Sequence, residues 1–268
     1  VGKYQAVLSN LTCEPTDLVT VGEGGFAIGH QQMFASWLAD KIAPKIGKKE
    51  DTIENIKLPG FLQMFSDNVV STSVLMFIFF GIIMLVLGED FMRSLDDTFS
   101  QTTAFGLYIF SKALSFTVYL NVLQAGVRMF VAELTESFKG ISDKLVPNAR
   151  PALDCPVVFP YAPNAVLVGF LSSFAAGLIG MFTLYLLNMI VIIPGVVPHF
   201  FVGAAAGVFG NATGGRRGAI LGAFAQGLLI TFLPVFLLPV LGDIGFANTT
   251  FSDADFGALG ILLGIIVR

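Results

Sequence analysis

Long apolar runs separated by short charged segments dominate the chain, and they predict helices that cross a lipid bilayer. A spanning helix needs about 20 mainly apolar residues. Runs of this kind predict membrane spans near 68–88, 104–127, 165–193 and 217–242, and the start of another span at 256–268. The last run ends after 12 apolar residues, and the first residues lack the order of a signal peptide. We therefore expect an all-α, polytopic integral membrane protein whose sequence here is part of a longer chain.

The distribution of lysine and arginine predicts how these helices are oriented. Three segments, 40–67, 128–150 and 216–217, together contain eleven basic residues. The segments 89–103 and 243–255, which alternate with them along the chain, together contain one. Because basic loops face the cytoplasm, the two kinds of segment are expected on opposite sides of the membrane. Between Asp154 and Arg216 lie 61 residues without a charge, enough for two crossings or for one crossing and a re-entrant hairpin. The charge pattern makes the number of crossings in that stretch even.

The composition supports a membrane protein and excludes several other classes. Hydrophobic residues make up 54% of the chain and charged residues 13%, whereas about a quarter of a soluble chain is charged. A net charge of −4 supplies no basic field for nucleic acid. Cys13 and Cys155 match no metal or redox spacing, and no nucleotide-binding loop, nucleophile motif or zinc motif is present. We therefore predict no catalytic residue, no metal site and no cofactor.

Two charged segments are expected at the membrane surface. In 128–146, apolar residues recur every three or four positions between charges, which predicts an amphipathic helix distinct from the span before it. The segment 41–57 is looser, since Pro44 and Gly47 interrupt it. Both are expected to connect spans, with docking of a cytoplasmic partner as the alternative.

A glycine-rich segment at 22–37 breaks the apolar pattern and predicts a binding site. Four glycines precede three consecutive polar residues, His30, Gln31 and Gln32. Clustered glycine disfavours a regular helix, and non-helical backbone at membrane depth is tolerated only where it is buried in protein or lines a wet cavity. Histidine and glutamine offer both donors and acceptors, as a polyhydroxylated solute requires.

A second break, at 153–166, has three prolines and two polar residues suited to bind a sugar. Asp154 stands at the edge of the uncharged stretch, where an ionised carboxylate suggests function. It can accept two hydroxyl hydrogen bonds, and Asn164 adds a donor and an acceptor. Each proline removes a helical hydrogen bond and frees a carbonyl for another partner.

Structural roles compete with these functional ones. His30 is alternatively a hydrogen bonder between helices, Asp154 a helix cap at the cytoplasmic interface, and Lys112 a snorkelling or acid-paired residue. We expect a structural role for His199. The small residues spaced four apart predict close helix packing: Gly203 and Gly207, Gly210 and Gly214, Gly218 and Gly222, Gly260 and Gly264.

Several stretches resemble the membrane permease component of the ascorbate-type phosphotransferase system, in the ascorbate and galactitol superfamily. They are GGFAIGHQQMFASWLADKIAPKIGKKE, LPGFLQMFSDNVVST, AGVRMFVAELTESFKGISDKLVP and LDCPVVFPYAPNAVLVGF. The likeness covers nearly the whole chain and is strongest from Gly25 to Gly169. The last hundred residues match in hydropathy and glycine placement.

The resemblance implies a multi-pass protein of the bacterial inner membrane, surrounded by lipid, that takes up L-ascorbate. A separate cytoplasmic B unit, phosphorylated on a cysteine, then converts the substrate to ascorbate 6-phosphate. It also implies a homodimer and an elevator-type motion, with re-entrant or broken helices. This chain would be the second part of a pseudo-symmetric permease, and further spans would precede Val1.

The substrate-contacting positions that the resemblance implies match His30, Gln31 and Asp154. Gln32 and Asn164 are added from their chemistry alone. Because ascorbate is an anion at neutral pH and like charges repel, we expect Asp154 to contact the hydroxyl tail. The ring is expected near His30 or exposed backbone N–H groups, with a half-helix N-terminus in the stretch 22–29.

Three alternatives remain at this stage. The first is a permease for another polyol of the superfamily, such as galactitol. The second is an ion-coupled or proton-coupled carrier without phosphoryl transfer. The third is a membrane scaffold in which the polar residues only hold helices together.

Overall fold

The computed structural model describes residues 2–22, 25–29, 33–56, 68–145 and 149–267. Eight α-helices and two short strands occur in these residues: α1 Gly2–Val19, β1 Ala27–Ile28, α2 Met33–Ile46, α3 Asn68–Leu87, α4 Glu89–Leu95, α5 Phe105–Leu145, β2 Ala152–Leu153, α6 Pro163–Leu186, α7 Val196–Asp243 and α8 Ala254–Val267. Two 3-10 helices cover Ile53–Asn55 and Cys155–Tyr161. The chain forms two compact units, 1–57 with 142–268, and 58–141.

The centre of the first unit is α7, which folds back on itself at Gly215. This residue has φ 60° and ψ −149°, a conformation that side chains other than glycine rarely adopt. A Cβ here would also run into the carbonyl oxygens of Lys48 and Asp51. The halves of α7, 196–214 and 216–243, therefore form a tight hairpin whose tip lies against the end of α2.

Small residues let the two halves of α7 lie side by side. A Cβ on Gly210 would meet the carbonyl of Gly218, and Ala206 and Ala223 belong to one buried cluster with Ala39 of α2. Backbones approach this closely only where side chains are minimal. The predicted glycine packing is confirmed for this hairpin.

Helix α6 packs along both halves of α7 through further glycines. A Cβ on Gly207 would lie 2.6 Å from the Ala165 carbonyl oxygen and 2.6 Å from the Gly169 Cα. On the other half, a Cβ on Gly180 would lie 2.8 Å from the Thr231 methyl group. The core of this unit is therefore built from backbone contacts as much as from large side chains.

The uncharged stretch between Asp154 and Arg216 contains two long helical segments, α6 and the first half of α7. Helix α6 ends at Leu186, seven residues before the end of the predicted span 165–193. Two residues later, Asn188 has a left-handed backbone with a φ of 52°, which turns the chain away from the helix axis. The Met189 N–H then donates to the Leu184 carbonyl at 2.9 Å and closes the last turn. Both α6 and α7 are long and apolar enough to cross a membrane.

Helix α8 begins beside the middle of the second half of α7 rather than beside its end. A Cβ on Gly257 would lie 3.8 Å from Leu233, and a Cβ on Gly260 would lie 2.9 Å from Leu237. The segment 244–253 therefore returns along α7 before α8 starts, and Thr250 donates to the Pro234 carbonyl at 3.3 Å on the way.

The second unit contains α3, α4 and most of α5. Helix α5 runs unbroken over 41 residues, so the predicted division into a span at 104–127 and a separate helix at 128–146 is wrong. No proline lies in this stretch, and isolated glycines do not by themselves end a helix. Lys112 pairs with Asp96 at 2.6 Å, one of the structural roles expected for it. The lysine and hydrogen bonds from Thr98 hold the pKa of Asp96 well below its usual range.

Candidate substrate-binding site

The two segments singled out in the sequence are paired through β1 and β2. The strands are parallel, with Ala27 opposite Ala152 and Ile28 opposite Leu153. The Gly29 N–H continues the ladder by donating to the Leu153 carbonyl at 2.8 Å. Positions that are some 120 residues apart in sequence thus meet at the point where the predicted ligands begin.

Local features of the glycine-rich segment explain why a strand forms there. Gly22 and Gly25 have φ values of 87° and 62°, which turn the chain out of α1. Thr12 of α1 then accepts the Ile28 N–H at 2.8 Å, and Ile28 is 1% exposed. A Cβ on Gly29 would lie 2.9 Å from that of Ala152, so glycine permits the close pairing. This non-helical backbone is buried in protein, as expected.

His30, Gln31 and Gln32 lie outside the described residues, so their contribution to a site stays a prediction. The residues on either side, Gly29 and Met33, are described. Gly29 is hydrogen-bonded to β2, and Met33 begins α2. The three polar residues therefore join the end of the paired strand to the start of a helix.

Asp154 directly follows β2 and caps the next 3-10 helix. Its Oδ1 atom accepts the Cys155 N–H at 2.8 Å, and a proline follows in the first turn. The side chain is exposed. Asp154 is thus a helix cap, and its role as a ligand for substrate hydroxyls stays a prediction beside that.

Asn164, the other predicted ligand in the proline-rich segment, contacts backbone. Its side-chain amide donates to the carbonyls of Ile53 and Ile56 at 3.4 and 3.3 Å. The Glu54 carboxylate accepts the backbone N–H groups of Asn164 and Ala165 at 3.2 and 2.8 Å. These contacts fix the first 3-10 turn on the N-terminus of α6, and binding of substrate by Asn164 stays a prediction.

The start of α2 is occupied by a carboxylate that the sequence analysis did not single out. Asp255, at the start of α8, accepts the N–H groups of Met33 and Phe34 at 2.8 and 3.1 Å and is fully buried. The amides of Met33 and Phe34 are therefore not available to a substrate anion. The half-helix N-terminus expected in the stretch 22–29 does not occur in its described residues, where Ala27–Ile28 form β1. Asp255 lies 222 residues from Met33 in sequence, so no local pattern indicates the contact.

A cleft of about 330 Å³ opens beside the paired strands. Its walls come from α1, from the residues flanking His30–Gln32 and from β2: Gln5, Ala6, Ser9, Asn10, Gly29, Met33, Arg150 and Ala152. The cleft therefore reaches the predicted segment 22–37 through Gly29 and Met33, and ends at Ala152, next to the predicted segment 153–166.

A separate polar cluster lies between α6 and α7. Ser173 donates to Gln226 Oε1 at 2.6 Å and lies 2.7 Å from His199 Nδ1. None of the three residues is more than 1% exposed. The contacts give His199 the structural role expected of it. Among the described residues, no group of three His, Cys, Asp or Glu side chains is placed to hold a metal ion.

The long apolar helices and their backbone-to-backbone packing are typical of a membrane-embedded protein. The chain belongs to the family of PTS system sugar-specific permease components, which matches residues 1–255. It is also 33% identical over 282 residues to the ascorbate-specific PTS system EIIC component of Mycoplasma pneumoniae. That alignment covers 95% of this chain and 40% of the relative, so the chain spans less than half of the relative's length.

Proposed function

We propose that the protein acts in the uptake of L-ascorbate across the bacterial inner membrane, as the permease component of a phosphotransferase system. The relative in Mycoplasma pneumoniae is named for ascorbate. In this proposal the protein is a multi-pass homodimer in lipid, and a phosphorylated cytoplasmic B unit modifies the substrate. The phosphoryl group moves from the B-unit cysteine to the C6 hydroxyl, so this chain supplies binding and access.

The observation that carries the proposal is the pairing of β1 with β2. The 2.8 Å hydrogen bond between Gly29 and Leu153 brings the backbone leading into His30 next to the backbone leading into Asp154. Groups on two separate segments can surround a small solute only if the segments meet. Here they meet next to a cleft, with β1 buried and β2 partly exposed.

Within this site, each group has a chemical task. Asp154 accepts hydrogen bonds from the hydroxyl tail, since a carboxylate is an acceptor at both oxygens. His30 and Gln31 offer donors and acceptors to the remaining oxygens, and Gln32 and Asn164 add to this set. An elevator-type movement of the site between the two membrane faces would then present the C6 hydroxyl to the B unit.

The proposal is tested by ascorbate binding to the purified protein in lipid nanodiscs, measured by calorimetry. Asp154→Asn keeps an oxygen to cap Cys155 but removes the charge, so it isolates the carboxylate from the cap. We expect it and His30→Ala each to weaken binding about 10-fold or more, as for the loss of a charge-assisted hydrogen bond. Asp97→Asn, at an exposed position of the second unit, serves as the matched control and should bind normally.

Other results identify the alternative functions. Ascorbate affinity equal to that of the unsubstituted protein in both site variants would overturn the site. Tighter binding of galactitol or xylitol in competition would favour a polyol permease. Accumulation of unmodified ascorbate without the B unit would indicate an ion-coupled carrier, and the absence of any substrate-dependent change in melting temperature would favour a scaffold.

A further inference from the structure

One wall of the cleft beside the paired strands contains an arginine. Arg150 lies just before β2, and its Nη1 atom is 2.7 Å from Asp17 Oδ2 of α1. Its side chain keeps 41% of its surface exposed. A guanidinium has five N–H donors in a fixed planar arrangement, and the contact with Asp17 is made through Nη1. The group is therefore held in place while still presenting donors to the cleft.

Gln5 of α1 also lines the cleft. The Nε2 atom of its side chain is buried and makes no hydrogen bond to any described residue. Buried polar groups in proteins are nearly always hydrogen-bonded, and leaving one unpaired costs free energy. A rotation of the Gln5 side chain toward the cleft would let this amide donate to a ligand oxygen.

The carboxylates near the cleft repel an anionic ligand, so binding of an anion requires a positively charged group there. Asp255 closes the start of α2, so the amides of Met33 and Phe34 are not available to a negative charge. Asp154 repels one as well, since the energy between like charges grows as their separation falls. Arg150 is the cation that lines the cleft.

The geometry of β2 links this cation to the hydroxyl end of the predicted site. Ala152 lines the cleft, and side chains two positions apart on an extended segment share a face. Asp154 has an extended backbone, with φ −68° and ψ 151°. The extended backbone therefore directs Asp154 to the same face as Ala152, just beyond the end of the cleft lining.

We propose that Arg150, together with Gln5, binds the anionic ring of the substrate in this cleft while Asp154 binds the hydroxyl tail. This assignment rests on the proposed function, because it takes a small organic anion with hydroxyl groups as the ligand. Opposite charges at opposite ends of the site fix the direction in which the substrate lies. They also explain how a site with carboxylates accepts an anion.

The test compares Arg150→Gln with Arg150→Lys and with a matched control, Arg216→Gln. Arg216 is also a half-exposed arginine paired with an aspartate, Asp51, but it lies at the hairpin tip outside the cleft. Ascorbate affinity is measured in nanodiscs by calorimetry. We expect Arg150→Gln to weaken binding at least 10-fold, Arg150→Lys to restore part of the loss, and Arg216→Gln to bind as the unsubstituted protein does.

A second variant tests the assignment even if Arg150→Gln fails to fold. Asp17→Asn removes the counter-ion without altering Arg150, and we expect equal or several-fold tighter ascorbate binding because the guanidinium then faces only the ligand. Unchanged affinity in Arg150→Gln would overturn this assignment and leave the proposed function intact. Failure of the unsubstituted protein to bind ascorbate would instead overturn the proposed function.

Discussion

Ser173 joins two points of α7 that are 27 positions apart, His199 and Gln226. Because its hydroxyl hydrogen is directed to Gln226 Oε1, His199 is the donor in the contact between Nδ1 and Ser173. Each side chain is surrounded by apolar helices, where hydrogen bonds to water are not available. The cluster therefore holds the hairpin of α7 onto α6.

Replacing Ser173 with alanine is expected to lower the free energy of unfolding by about 1–3 kcal/mol, the usual cost of leaving a buried donor unpaired. Ser172, the residue just before it in α6, is partly exposed and serves as the matched control. Ser172→Ala should change stability by less than about 0.5 kcal/mol. Denaturant titration in micelles measures both, and equal stability of the two variants would contradict the role of the cluster.

Asp253 is a second buried polar residue, and its burial changes its pKa. It is 5% exposed, and desolvation raises its pKa to about 6, although the Phe256 N–H donates to its Oδ1 at 2.9 Å. Its pKa in the unfolded chain is near 3.8. Since the folded state holds the proton more tightly, the charge of Asp253 lowers stability at pH 7, and this cost disappears as the pH falls from about 6 to 4.

Asp253→Asn should therefore stabilise the protein at pH 7 and reduce the dependence of melting temperature on pH between 6 and 4. The gap of about 2 pKa units sets an upper limit of about 3 kcal/mol. Asparagine keeps the oxygen that caps Phe256, so only the charge is removed. Melting curves at a series of pH values test this, with exposed Asp97→Asn expected to leave the pH dependence as it was.

The sequence indicated some of these residues but not others, for a physical reason. Gly22 and Gly25 turn the chain locally and Asp154 caps the residue after it, so local pattern predicts them. Glu54 and Asp255 stabilise helix starts that lie more than 100 residues away in sequence. Only the folded chain brings such partners together.

At the scale of helices, glycine spacing predicts contacts more reliably than apolar length predicts boundaries. The segment 196–214 was not predicted as a separate helix, because the whole stretch before Arg216 lacks charges. Its end is set by Gly215, whose positive φ reverses the chain. In α5, by contrast, a charge-rich stretch starts at Arg128, where the apolar run ends, but the helix continues to Leu145.

Adding one methyl group at the contact of α6 and α7 should separate the two helices. In Gly207→Ala the new Cβ would meet backbone atoms of Ala165 and Gly169, which cannot move aside as a flexible side chain can. We expect a loss of about 1–3 kcal/mol, as for other overpacked cores. Gly126→Ala is the control, since nothing lies within 4 Å of a Cβ there and alanine favours helix.

Thermal unfolding in micelles measures both glycine variants. Gly207→Ala should melt at a lower temperature than the unsubstituted protein, and Gly126→Ala at an equal or higher one. A melting temperature for Gly207→Ala equal to that of the control would show that the two helices are not held as closely as the contact distances imply.

At the scale of the molecule, the second half of α7 separates a basic segment from one without basic residues. It runs from residue 216 to 243, about 42 Å at 1.5 Å per residue, which exceeds the hydrocarbon thickness of a bilayer. The basic residues around 48 and 216 lie at its start, and the exposed turn at 244–250 lies at its end. The charge rule places the first of these in the cytoplasm.

Cysteine labelling in intact cells tests this orientation. A membrane-impermeant maleimide should label Ala247→Cys, and it should label Lys49→Cys only after the cells are opened; both positions are exposed. The parent protein, labelled in parallel, gives the contribution of Cys13 and Cys155. Labelling of Lys49→Cys in intact cells would reverse the predicted orientation.

The ladder between β1 and β2 is only two residues long on each strand, and this makes loop length critical. Neighbouring side chains of a strand face opposite ways, so one inserted or deleted residue reverses every face beyond it. An insertion between Arg150 and Leu153 would turn Asp154 to the opposite face of the strand, and one between Gly25 and Gly29 would shift the register of the ladder. Irregular segments usually tolerate such length changes, but these two are expected to tolerate none.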